Sequence, residues 1–191
     1  GRIASLAFEQ RDPYPRRGLT WTEDMRVALG YADRVELLPV RLNGARTDIA
    51  AARGMPAPLF VLPNGAGLAY GEIHLDAASR TWLLAHLPEI ESGLTRGSAW
   101  VTLWDALLDG EIAASAFIDL VLAALPREPD ELNVQRVLSY LERVYWTFTP
   151  DADEDIEVRP FALAEARAMV ANGEIVDLKT AYGLTLEPPR R

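Results

Sequence analysis

An α+β architecture is what this sequence predicts: a small antiparallel β-sandwich, then α-helical hairpins, then a short strand-helix tail. Three observations carry that expectation. Apolar and polar residues alternate through the first 76 positions, with turn-forming residues between the runs. From about Ala77 the apolar spacing becomes that of a helix. After Pro150 one brief extended run precedes a single helical one. The expected domains are therefore a β-sandwich over 1–76, an α-helical domain over 77–149, and the tail over 150–191.

The first part justifies its strands one by one. Ala4, Leu6 and Phe8 alternate, as do Met25, Val27, Leu29 and Tyr31, so each set places its side chains on one face of a pleated strand. Asp12, Pro13, Pro15 and Gly18 punctuate the gap between them. Asn43-Gly44 predicts a hairpin turn, and Gly54, Pro56 and Pro58 break the chain before a strand at Leu59 to Leu62. Pro63, Asn64, Gly65 and Gly67 then turn the chain into a further strand carrying Tyr70, Ile73 and Leu75.

The helices follow from a different period. One is expected around Trp82 to Leu87. Trp100, Leu103, Trp104, Leu107 and Leu108 make an apolar stripe that Asp109 and Gly110 close. Phe117 to Leu125 is a more apolar helix, and Asp130 is the N-cap of another whose stripe is Val134, Val137, Leu138, Leu141, Val144 and Tyr145. Short connections favour antiparallel hairpins. In the tail, Ile156 and Val158 form a brief strand, Leu163, Ala166, Met169 and Val170 a helical stripe, and Asn172-Gly173 a helix stop.

Composition removes whole classes of function. The 191 residues are 49% hydrophobic and 25% charged, the balance of a folded water-soluble chain. No apolar run approaches the roughly 20 residues of a membrane helix, so no membrane partner is expected. A net charge of −9, with basic residues scattered among acids, argues against nucleic acid. The absence of cysteine excludes disulfides, thiolate nucleophiles and thiolate metal sites. The compartment stays open, with a cytoplasmic setting favoured. Gly1 stands where an initiator Met would, and the chain reads as cut from something longer.

Two resemblances lie end to end, meeting near Thr149 and Pro150. LFVLPNGAGLAYGEIHLD (59–76) is similar to the segment with which zinc aminopeptidases of the aminopeptidase N family leave their small β-sandwich. LPEIESGLTRGSAWVTLWDALLDGEI (87–112) resembles the first helices of that family's C-terminal domain, and NVQRVLSYLERVYW (133–146) a later one. The resemblance implies a support role, in which the sandwich braces an upstream catalytic domain and the helices cover its cavity. Zinc belongs to that parent domain, held by HExxH and a distant Glu. Neither motif occurs here, and zinc activation of water needs three protein ligands where this chain has only two histidines, so no catalytic, cofactor-binding or metal residue carries over. The expected partner is the parent's catalytic domain or a second copy of the chain.

DEDIEVRPFALAEARAMVANGEIVDLKTAYGLTL (153–186) resembles the end of Nudix hydrolases of the nucleoside-diphosphate-sugar pyrophosphatase kind. The Nudix box that would hold magnesium is absent. Its nearest string, Arg127-Glu128-Pro129-Asp130-Glu131-Leu132, has a helix-breaking Pro inside and Leu132 where the last Glu belongs, and reads as a loop and helix start. A tail of this length cannot bury a core alone. A spliced or assembled sequence explains the join most simply, with a natural fusion as the alternative.

The remaining candidates have plain readings. His74 lies on the predicted last strand and His86 at a helix end before Pro88, a spacing that matches no zinc motif. Trp100 and Trp104 at helical spacing read as core, though a cavity lining is the alternative. The acids Asp151, Asp153, Glu154, Asp155 and Glu157 begin like a calcium loop, but Ile156 stands where that loop needs Gly and Ala162 where it needs Glu. Gly65, Gly67 and Gly71 precede a strand, not a helix, so a turn is preferred to a dinucleotide site. Three functions follow in order: a non-catalytic accessory region of an aminopeptidase N-like protein, a divergent magnesium-dependent Nudix diphosphatase assisted by Glu154, Asp155 and Glu157, or an interaction module with Trp82, Trp100, Trp104 or Trp146 exposed.

Overall fold

The computed structural model describes residues 1–14, 16–148 and 162–175. It divides into two compact units, Gly1–Thr149 and Pro150–Arg191. The fold is α+β, with two small antiparallel sheets followed by helices.

In the first unit, β1 (Ala7–Glu9) pairs with β4 (Arg46–Asp48), while β2 (Glu23–Gly30) is the centre of a second sheet between β3 (Val35–Leu42) and β5 (Phe60–Leu62). The alternation predicted for Met25, Val27 and Leu29 is present, and these side chains are buried with Val40 and Ile49 in one apolar cluster, against which Leu6 and Phe8 pack. The opposite face of β2 is also buried, because Ala28 belongs to a second, larger cluster shared with the helices. Small residues make that possible. A Cβ on Gly30 would fall within 1.9 Å of the Phe60 ring, so glycine is required for β5 and Phe60 to lie against β2. Pro39 sits on β3, an edge strand, where its missing N–H costs no ladder bond on the open side.

Three local expectations are corrected. Asn43-Gly44 does form a turn, with Gly44 at φ 76°, but it passes the chain from β3 to the other sheet instead of closing a two-stranded hairpin. Ala4 lies outside the first strand and is exposed. Tyr70, Ile73, His74 and Leu75 are on no strand; 68–76 is an irregular extended segment. The Asn64 side chain donates to the Ala69 carbonyl at 3.0 Å and accepts from the Ala69 N–H at 2.9 Å, and the Tyr70 N–H bonds the Glu23 carboxylate, so side chains and not a ladder hold the start of this segment.

The helices start where capping residues allow. Asp76 accepts from the Ser79 N–H to begin α1 (Ala77–His86), and Ser92 from the Thr95 N–H to begin α2 (Gly93–Leu108). After α3 (Ala114–Ala124), Asp130 accepts from the N–H groups of Leu132 and Asn133 and opens α4 (Glu131–Phe148), as its sequence predicts. Leu83, Leu103, Phe117, Val121, Val137 and Val144 fill the shared core. Trp104 stacks on Tyr140 with ring centres 4.5 Å apart and meets Phe117 edge-on. The buried face of α4 is rotated from the predicted stripe, leaving Leu138 and Tyr145 exposed.

In the second unit the described structure is α5 (Leu163–Ala171), stopped by Asn172 and by Gly173 at φ 84°, as the sequence predicts. The strand expected at Ile156 and Val158, and the acids from Asp151 to Glu157, lie outside the described residues. No helix among the described residues is long and apolar enough to cross a membrane.

Candidate functional site

An open groove of about 850 Å³ lies between the segment 64–73, one face of α2 and the first turns of α4. Its position follows from how the Asn64 turn is pinned. Thr95 Oγ1 donates to the Gly65 carbonyl at 2.9 Å, and Ser98 Oγ donates to the Asn64 carbonyl. A Cβ on Gly65 would lie 2.4 Å from that of Ala28, so the turn is pressed directly onto β2. The groove is acidic: Glu72, Asp105, Asp109 and Asp130 line it against Arg136. Burial pushes the Asp105 carboxyl above its usual range, and Asp109 and Glu72 add to the rise, with His74 opposing.

Beside the groove, Glu72, His74 and Asp109 each offer a ligand atom, and the three atoms lie within 4.8 Å of one another. His74 Nε2 is 3.2 Å from Glu72 Oε1, and its Nδ1 is 2.8 Å from Glu111 Oε1. Glu111 is in turn paired with Arg80. Its hydrogen bond raises the His74 pKa, partly opposed by burial and helped by the charges of Glu111, Glu72 and Asp109. Ile73 and Leu75 point into the core, so the alternate residues Glu72 and His74 face out. The sequence reading singled out His74 but not Glu72 or Asp109. An acid two residues before the histidine was a visible signal, whereas Asp109 is brought in only by the end of α2.

A second polar cluster, also missed, is closed. Arg96 Nε and Nη2 bond Glu128 at 2.9 and 2.6 Å, and Nη1 donates to the carbonyls of Ile90 and Glu91. The two side chains are 7% and 4% exposed. Burial raises the Glu128 carboxyl, but the Arg96 hydrogen bonds and the Asp130 N–H outweigh it and hold it below the usual range. The string 127–132 is a loop and helix start, as expected, and its Glu128 is an internal ion-pair partner.

The other candidates are placed as follows. His86 ends α1, bonded to Glu89 at 2.9 Å and stacked on Trp82. Trp100 and Trp104 are core residues, 1% and 8% exposed, and Trp82 is half-buried against the core, so the exposed-tryptophan surface is corrected to Trp146 alone of those four. Ser98 and Thr102 spend their hydroxyls on backbone carbonyls, and His74 is paired with the carboxylates of Glu72 and Glu111. The groove therefore presents four carboxylates and the Arg136 guanidinium, with the His74 imidazole at its edge, an arrangement suited to a cation.

No family model matches the chain. Over 144 residues it is 32% identical to aminopeptidase N of Streptomyces lividans. The similarity takes in 68% of this chain but spans only 16% of that protein, so the chain is related in sequence to a small part of an aminopeptidase N.

Proposed function

We propose that this chain is a non-catalytic accessory region of an aminopeptidase N-like metallopeptidase, bracing a catalytic domain that holds zinc and helping to cover its substrate cavity. The reading is carried by the 144-residue similarity, which occupies a minor part of a much longer relative, together with the absence of HExxH from the sequence. The order of small sheets and then helices supports it. An acidic open groove suits a wall near the ammonium end of a peptide, since carboxylates in a concave surface concentrate cations. The partner is the catalytic domain of the parent protein.

The test has two arms. The purified chain, supplied with Zn²⁺ and an aminoacyl arylamide, is expected to release no arylamine; turnover abolished by a chelator overturns the non-catalytic reading. Mixed with the remainder of the Streptomyces lividans protein, made without its matching segment, the chain is expected to co-elute on size exclusion. Separate elution overturns the bracing role.

A further inference from the structure

We propose that Glu72, His74 and Asp109 form a binding site for a divalent transition-metal ion, Zn²⁺ being the ion their donors fit, which clips the segment after Gly71 to the end of α2. The donor set is one imidazole nitrogen and two carboxylate oxygens within 4.8 Å of one another. Borderline cations such as Zn²⁺ take that mixture, whereas Ca²⁺ and Mg²⁺ prefer oxygen alone.

The surroundings favour the required tautomer. Glu111, an acceptor when ionised, lies 2.8 Å from His74 Nδ1 and can accept a hydrogen bond from Nδ1–H. In the neutral ring this leaves the Nε2 lone pair toward Glu72 Oε1, 3.2 Å away. Two lone pairs at that distance repel unless a positive charge lies between them, and a proton or a metal ion meets the need. A separation of 3.2 Å is also about that of two ligands on a tetrahedral ion with bonds near 2.1 Å. The arrangement carboxylate, histidine, metal is completed by Arg80, which fixes Glu111 behind the ring.

The scaffold on the other side is equally defined. Asp109 follows α2, where its N–H bonds the Asp105 carbonyl, and Gly110 at φ 71° lets Glu111 N–H return to the Ala106 carbonyl at 2.8 Å. The helix C-terminus adds partial negative charge. Among the described residues no arginine ion pair reaches Glu72 or Asp109, and the ion-pair partner of Glu72 is His74 itself. The inference stands independently of any role in a peptidase.

Co²⁺ as a spectroscopic probe, followed by competition with Zn²⁺, tests it on the full chain at pH 8. One equivalent should give a visible ligand-field band that Zn²⁺ bleaches. His74→Ala and Asp109→Asn should each weaken binding at least tenfold, and Glu111→Ala by about 10–100-fold through loss of the orienting bond. His86→Ala should leave it unchanged, and circular dichroism checks that each variant folds. No band at 100 µM metal, a band that survives His74→Ala, or equal competition by Ca²⁺ or Mg²⁺ overturns the site.

Discussion

At the N-terminal end of α2, Arg96 and Glu128 are buried and bonded to one another: the guanidinium makes four hydrogen bonds, two to the carboxylate and two to loop carbonyls, and the carboxylate also accepts the Asp130 N–H. At the C-terminal end, Glu72, His74 and Asp109 are exposed, with surplus negative charge and an imidazole nitrogen facing a carboxylate. The difference teaches how to read polar clusters. A buried network must be closed, because an unpaired charge there costs several kcal/mol, whereas an exposed one can stay open because water screens it until a ligand arrives.

The largest break of this contrast is Arg96→Met, which strands the Glu128 carboxylate in the interior. Urea denaturation should show a loss of about 3–5 kcal/mol, and pairing it with Glu128→Leu should recover most of that. Failure of the double substitution to recover would mean that the bonds to Ile90 and Glu91, not the ion pair, hold this end together.

A smaller effect is expected where α2 and α4 meet. A Cβ on Gly97 would lie 2.6 Å from Asn133 Oδ1, and Asn133 is fixed by its 2.9 Å bond to the Gly93 carbonyl. Gly97→Ala should cost about 1 kcal/mol net, because overpacking exceeds the gain in helix propensity. A stabilised variant would show that the seam is looser than its contacts imply.

The two networks should respond to pH with opposite signs. Glu128 is depressed, so its contribution is present above the ordinary value of 4.5 and is lost as pH falls through the lower folded value. His74 is raised, so its contribution is present below 6.5 and is lost as pH rises through the higher folded value. In chelator, His74→Ala should flatten only the alkaline side, by less than about 1 kcal/mol because the ring is largely exposed. Glu128→Gln should flatten only the acid side. Midpoints measured from pH 3 to 9 decide both.

The smallest expected effect is Glu72→Gln. At pH 8 without metal it relieves repulsion among Glu72, Asp105 and Asp109 and should raise stability by a few tenths of a kcal/mol. A loss of that size would indicate that Glu72 is already neutralised.

Much of the fold was legible because the signals are local. Alternation at Met25, Val27 and Leu29 marked β2, helical spacing marked α2 to α5, and Asp130, Gly110 and Gly173 marked ends. The segment 68–76 shows the limit: its alternation is real and does place Ile73 inward and His74 outward, yet it pairs with no strand, and at its start the Asn64 side chain takes both backbone groups of Ala69. The site was half legible. His74 was named, but its meaning depends on Asp109 and Glu111, more than thirty positions away.

By itself the sequence determined most element types, the order of strands before helices, the Asp130 cap, the helix stops at Gly110 and Gly173 and the lack of any thiol chemistry, because propensity, period and composition act over a few residues. Tertiary structure alone decided that β2 is buried on both faces, that Arg96 and Glu128 meet inside, and that an acid–histidine cluster gathers at the end of α2. Those depend on which distant surfaces close on one another, and that is set by the summed burial of the whole core and not by any local pattern.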